Sequence, residues 1–267
     1  MTTAPLPPRY SFDNADPEAV DRHRYLSEML DELTFAQLSR LGLPGRRCLE
    51  VGAGASGVAA WLAERVGPTG RVLATDLDIS HLRQDAGFDV VEHDLRTDPV
   101  PDGPWDVIHA RLVLLHIPER REILSRLAAA LAPGGALVLE EWASAHHGLV
   151  LAAPDAESAQ LIEDYHQTME TKVLPARGND PYWAEKVHSV LLEEGLVKVS
   201  TEIRAGSWPG GTAGTLLIAA NVAQLRDDFI AAGFAPERLD RLSALVRDPR
   251  LVLRGHFTYS TVGRRSR

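Results

Sequence analysis

Residues 50–57 read "EVGAGASG", a turn in which Gly52, Gly54 and Gly57 leave the backbone bare. Glycines at such a spacing let main chain approach a ligand closely and aim helix N–H groups at a polar or anionic part of it. Asp76, in "VLATD", falls where the second strand of a nucleotide-binding unit ends and where an acid accepts hydrogen bonds from ribose hydroxyls. Together these residues fit an adenosine-containing ligand without choosing between a dinucleotide and S-adenosylmethionine. Two acids help to choose. Glu50 stands just before the glycines, where a carboxylate repels a diphosphate and favours an ammonium or sulfonium by about 1 kcal/mol or more. Asp94, in "VEHD", offers an acceptor to an adenine amino group.

A second set of residues could act on a substrate. In open parallel sheets ligands bind beyond the carboxyl ends of the strands, so candidates are sought after the fourth and fifth strands. His116 in "LLHIPE" follows the fourth, and His146 and His147 follow the fifth. His166 and Glu170 are four apart on a helical stretch and share one face, which also fits a solvated helix surface. His116, His146 and His166 are the candidate general bases, each with the alternative of a purely structural role. Trp142 and Trp183 fit an aromatic wall beside a flat or cationic group, or packing beneath a covering segment. No Cys, His and carboxylate spacing predicts a metal site. Glu140 and Glu141 point to opposite faces of a strand and cannot share one ion.

Elements that position these groups are legible in the hydrophobic pattern. "RCLEVG", "RVLATDLD", "FDVVEHD", "WDVIHARLVL" and "ALVLEEW" read as strands, with helices in "SGVAAWLAERVG", "ISHLRQD" and "PERREILSRLAAALAPGG". That alternation predicts βαβ units with right-handed crossovers and a largely parallel sheet. A helix begins at Pro17 with Asp16 as N-cap and runs until "GLPGRR" stops it. After Trp142 the rhythm breaks: a helix spans about 155–173 with no clear strand near it. Then come a helix in "AEKVHSVLLEEG", a strand in "LVKVSTEIRAG", one or two helices over 213–247, and a closing strand "RLVLRGHFTYSTVG". The expected division is an N-terminal helical lid segment (1–45), a Rossmann-like cofactor core (46–145), a helical lid insertion (146–183), and the rest of the core with the last two strands (184–267).

Bulk properties exclude several functions. The chain has 267 residues, 28 Lys and Arg against 37 Asp and Glu, and a formal net charge of −9, which argues against a nucleic-acid partner. Its single cysteine, Cys48, excludes an internal disulfide and fits a reducing compartment. No secretory signal or membrane-length apolar run is present, so a cytoplasmic protein with no membrane partner is expected.

From Arg47 to Trp142 the chain resembles a class I S-adenosylmethionine-dependent methyltransferase of the ubiquinone/menaquinone-biosynthesis-like group. "LEVGAGASG", "VLATDLD", "VEHDL", "DVIHARLVLLHIP" and "LAPGGALVLEE" match that family's motifs in order. One departure is Ser56, where the family often has a glycine, with Gly57 next. The resemblance implies an α/β fold: a Rossmann-like three-layer sandwich with a mostly parallel seven-stranded sheet, an antiparallel last strand and a helical lid. It implies S-adenosylmethionine as cofactor and a small molecule as methyl acceptor at O, N or C. By the same likeness Gly52, Ala53 and Gly54 back the methionine part, Glu50 supports the turn or the ammonium, and Asp76 holds the ribose. Leu77 packs on the adenine, Asp94 and Leu95 bind its edge, Arg111 or Ala110 meets the cofactor through a backbone carbonyl, and Tyr10 folds over it. Two other readings stay open: a cofactor-retaining catalyst that does not methylate, such as a cyclase, and an NAD-dependent oxidoreductase.

Overall fold

Short apolar runs between turn signals fold as the buried strands of one sheet. A computed structural model describes residues 17–267, save Ser56, residues 83–86 and Ala145. The expected N-cap Asp16 and the expected cofactor contact Tyr10 lie outside the described residues. Helix α1 (Pro17–Leu38) leads through a 3-10 turn to β1 (Arg47–Val51), α2 (Val58–Val66), β2 (Arg71–Asp76) and β3 (Asp89–Glu92). Between β2 and β3, Ile79–Leu82 form a turn where a helix was expected. Then follow β4 (Trp105–Arg111), a 3-10 turn at Leu114–His116, α3 (Arg120–Ala129) and β5 (Leu131–Ala143).

Beyond β5 the chain makes β6 (Val150–Ala152) and α4 (Ala156–Thr168), whose N-cap Asp155 accepts a 2.7 Å hydrogen bond from Ser158 N. A π turn, Met169–Val173, continues it into the short α5 (Leu174–Ala176). The remaining elements are α6 (Trp183–Glu193), β7 (Val197–Arg204), β8 (Ser207–Pro209), α7 (Ala213–Ala231), α8 (Pro236–Leu245), β9 (Val252–Arg254) and β10 (Phe257–Arg264).

The main sheet has seven strands in the order β3-β2-β1-β4-β5-β10-β7. The pairs from β3 to β5 are parallel, and β10 runs antiparallel to both β5 and β7. This is the expected mostly parallel sheet with its antiparallel last strand. One apolar cluster, including Leu49, Ile108, Leu127 and Trp183, packs on one face; another, including Leu38, Val58, Leu62 and Val138, packs on the other.

Two expectations change. "RLVLRGHFTYSTVG" is not one strand: it breaks at Gly255-His256 into β9 and β10, which belong to different sheets. Nor is the segment after β5 strandless, since β6, β9 and β8 form a small antiparallel sheet of their own. The cause is packing. The apolar stripe of α4, Leu161, Ile162 and Tyr165, is buried against Val222 and Phe229 of α7, Leu239 and Leu242 of α8 and Leu253 of β9. The accessory layer over the sheet is therefore built from two separate pieces of chain, 146–176 and 207–256, because neither piece alone can bury its apolar face.

Candidate active site

Two cavities open beyond the carboxyl ends of the parallel strands. The outer one, about 1180 Å3 out to its mouth, is bounded by the glycine turn, the ends of β2 and β4, and α1. Gly52 and Gly54 take φ of +63° and +53°, left-handed values that glycine adopts without strain. A Cβ on Gly52 would stand 2.4 Å from Val113 Cγ2, so a larger residue here would force Val113 to move. Asp76 fixes the turn from the neighbouring strand: its Oδ2 accepts from Gly54 N at 2.7 Å and its Oδ1 from Asp78 N at 3.1 Å. Burial raises the pKa of this carboxyl, and those backbone donors work against the rise. Leu77, 47% exposed, and the buried Leu95 supply apolar surface on the same wall. Asp94 lies there too, its carboxylate held by Arg96 at 3.0 Å, a bond that lowers its pKa.

The inner cavity, about 900 Å3 out to its mouth, lies between the sheet and the accessory layer. Trp142, Tyr165 and Trp208 give it an aromatic lining, and His166, Glu170 and His256 add polar groups. The two cavities share three wall residues: Arg22, Leu112 and His116. Leu112, just past β4, has φ +55° and donates its N–H to Glu140 O at 2.8 Å. That conformation costs a non-glycine residue about 1–3 kcal/mol, a strain located where the cavities meet.

His116 is set by its neighbours. Its Nδ1 hydrogen-bonds Asn179 Oδ1, and Asn179 Nδ2 donates to Leu174 O at 3.1 Å, which fixes the amide's orientation. An amide oxygen only accepts, so Nδ1 carries the proton and the lone pair is on Nε2. Burial, then the charge of Arg22, pushes the pKa down to about 3, so the ring is neutral.

Comparison with known proteins now bears on this geometry. A family model described as a methyltransferase domain matches residues 21–199. The chain belongs to the methyltransferase-domain family. It is 27% identical over 197 residues to the methyltransferase GfsG of Streptomyces halstedii, a match spanning 71% of this chain and 67% of that one. It is 37% identical over 114 residues to the methyltransferase str2 of Strobilurus tenacellus, 41% of this chain and 40% of that one. Among solved structures, Haemonchus contortus phosphoethanolamine N-methyltransferase 2 with S-adenosyl-L-methionine superposes with a TM-score of 0.51 at 16% identity, covering 88% of this chain and 53% of that one. The chain thus spans between two fifths and two thirds of the length of these proteins.

The outer cavity has the lining that the expected cofactor, S-adenosylmethionine, would need. Bare backbone at Gly52 and Gly54, an anchored carboxylate at Asp76 and apolar surface at Leu77 and Leu95 are what an amino acid, a ribose and an adenine require. Ala53 and Arg111 also line this cavity. Arg111 turns its side chain to α1, with Nη2 2.7 Å from Asp31 Oδ1 and Nη1 2.9 Å from Thr34 Oγ1.

Several expectations need correction. Glu50 reaches the outer cavity, but it is 1% exposed and its Oε2 lies 2.6 Å from His109 Nδ1. The isolated carboxylate on which the charge argument rested is one member of a buried ion pair. Trp183 is 1% exposed within the core, so Trp142 has Trp208, not Trp183, as its aromatic companion, at a 6.0 Å centroid distance. His146 faces Glu185, Nε2 to Oε1 3.1 Å, and packs edge-on against Phe257; His147 is exposed. Neither is among the residues lining the two cavities. His166 and Glu170 are not on a solvated face: both are buried and line the inner cavity.

Sequence reasoning missed Arg22 and His23 of α1, which close the outer cavity over the turn, and His256 and Trp208 in the inner one. His23 carried a signal: an ionisable residue on the same helix face as Leu26 and Leu30. His256 carried one in "RGHF", a glycine and a histidine interrupting a strand pattern.

Proposed function

We propose that the protein is an S-adenosylmethionine-dependent methyltransferase acting on an O, N or C atom of a small molecule, in cytoplasmic secondary metabolism. The observation that carries this reading is the shared wall at Leu112 and His116, which joins a cofactor-shaped cavity to an apolar, aromatic-lined one. Two ligands bound on either side of such a wall meet there.

The cofactor supplies a methyl group already activated by its sulfonium. The chain's contribution is orientation and dryness, and positioning alone is worth several kcal/mol. Gly52, Ala53 and Gly54 present backbone to the amino-acid part, Asp76 the ribose acceptor, Leu77 and Leu95 the adenine surface, and Asp94 its edge. Glu50 supports the turn through its pair with His109. Arg111 ties α1 to the end of β4 and so keeps that helix over the cavity. We read α1 and the two-piece accessory layer as the lid that keeps water from the junction.

His116 is the candidate base, with Nε2 as its accepting atom. Its low pKa makes it a weak base, suited to align an acceptor X–H and to take the proton as methyl transfer releases it. The test is incubation with methyl-labelled cofactor and a panel of phenols, amines and activated carbon acids. Label in a product supports methyl transfer; cofactor binding without label in any product favours a non-methylating catalyst. Thermal stabilisation by NADH rather than S-adenosylhomocysteine would overturn the cofactor assignment.

A further inference from the structure

The inner cavity holds more chemistry than methyl transfer at His116 requires. His166, in the last turn of α4, and Glu170, in the π turn, are 4% and 5% exposed, and His166 Nδ1 lies 3.0 Å from Glu170 Oε1. Among the described residues His166 Nε2 is buried without a hydrogen-bond partner, and Glu170 Oε1 has only its ion-pair contact with His166 Nδ1, which is not a well-formed hydrogen bond. Buried polar atoms are nearly always partnered, so such a pair calls for one. π turns recur at functional sites, and this one borders the inner cavity. Both side chains line that cavity and not the outer one, which puts them outside the cofactor-shaped space.

The surrounding walls narrow the ligand further. His256 stacks on His166 at 5.4 Å and 26°, and packs against Trp142 at 4.9 Å and Trp208 at 5.4 Å. Burial holds the His256 pKa well below its ordinary value, so the ring is neutral. Trp208 lies directly against the backbone of two glycines: a Cβ on Gly214 would meet its ring at 2.2 Å, and one on Gly255 at 2.6 Å. Arg254, the cation nearest this cluster by sequence, donates to the carbonyls of Gly255, His146 and His147. Its charge is committed to the loop.

Resting on the methyltransferase reading, we infer that the substrate is a flat, largely apolar molecule with an uncharged hydroxyl or N–H group at the end opposite the methyl acceptor, recognised by His166 and Glu170. The carboxylate only accepts hydrogen bonds, so the matching ligand group must donate; a hydroxyl can also complement Nε2 in either tautomer. A ligand carboxylate at this end would confront Glu170. Aromatic walls favour a planar core.

The experiment measures binding to the full chain saturated with S-adenosylhomocysteine, by calorimetry. Two ligand pairs are used: naphthalen-2-ol against naphthalene-2,6-diol, and 4-hydroxybiphenyl against 4,4′-dihydroxybiphenyl, with 4′-hydroxybiphenyl-4-carboxylate as the anionic control. The wild type is expected to bind the diol of at least one pair about tenfold tighter than its monohydroxy partner, the worth of one buried hydrogen bond. The carboxylate should bind no tighter than 4-hydroxybiphenyl. In His166→Phe, which keeps a flat ring in the stack, the preference should fall within about twofold while affinity for S-adenosylhomocysteine stays unchanged. His166→Gln, which restores a polar group, should regain part of it. Equal binding of diol and monohydroxy ligands, a preference that survives His166→Phe, tighter binding of the carboxylate, or no binding of any aromatic ligand would each overturn the inference. If S-adenosylhomocysteine itself fails to bind the wild type, the methyltransferase reading falls as well; if it binds, only the substrate class is lost.

Discussion

Glu50 and His109 stand opposite each other on β1 and β4 as register partners, with His109 Nδ1 2.6 Å from Glu50 Oε2. His109 Nε2 lies 3.3 Å from Glu140 Oε2, and Glu140 also hydrogen-bonds Thr34 of α1 and Ser260 of β10. Burial disfavours the imidazolium, but the two carboxylates outweigh it and raise the His109 pKa to about 9. Replacing His109 by Phe leaves two buried carboxylates without their cation. We expect a loss of about 3–5 kcal/mol in denaturant unfolding; a loss below about 1 kcal/mol would show that the charges are not buried as described. The sign of the pH effect follows. A pKa raised on folding stabilises fully below the ordinary histidine value, and that contribution fades as pH climbs through about 9. Glu140, whose pKa is lowered, contributes above the ordinary carboxylate value and loses that contribution in acid.

Glu141 faces the other side of the sheet and accepts from Leu114 N at 2.9 Å, supporting the turn that carries His116. Burial raises its pKa to about 8 against the pull of the backbone donors. Its raised pKa makes the fold most stable where the acid is protonated and less so as pH rises through about 8. Glu141→Gln keeps an acceptor and removes the charge. It should come closest to the wild type near or below pH 4 and exceed it by at least about 1 kcal/mol near pH 9. Melting curves that run parallel across this range would sink the assignment.

Gly52→Ala adds a methyl in a left-handed conformation, against Val113 Cγ2. We expect at least about tenfold weaker binding of S-adenosylhomocysteine. Adding Val113→Ala removes the clash but not the backbone strain, so the double variant should recover part of the affinity. Full recovery would mean that sterics alone select glycine here.

Asp76→Ala removes the acceptor for Gly54 N and, in the proposed function, the ribose acceptor. Affinity for S-adenosylhomocysteine should fall by about 1–3 kcal/mol in calorimetry. An unchanged value would leave Asp76 a turn-stabilising residue only.

His116→Ala should reduce turnover far more than cofactor affinity, because His116 borders both cavities but belongs to neither the glycine turn nor the ribose site. Wild-type turnover with any confirmed acceptor would reduce the residue to a structural one.

The geometry of the glycine-turn cavity was legible because its parts are local. A strand, a glycine turn, a helix and an acid at the next strand end are set by backbone geometry and short-range pattern, so Gly52, Gly54 and Asp76 could be placed by spacing. The inner cavity was not, because it is assembled from α1, α4, the π turn, β8 and the β9–β10 link, which are distant in sequence. His166 and Glu170 could be put on one helix face from the sequence, but whether water or Trp208 and His256 lay against that face depended on how the two accessory pieces packed. The same holds for Glu50. Its type and position were evident, but its partner was not, because His109 comes from a strand that is adjacent in the sheet and remote in the chain. By itself the sequence determined the sheet and the turn; tertiary packing decided which ionisable groups lost their water and which found a partner.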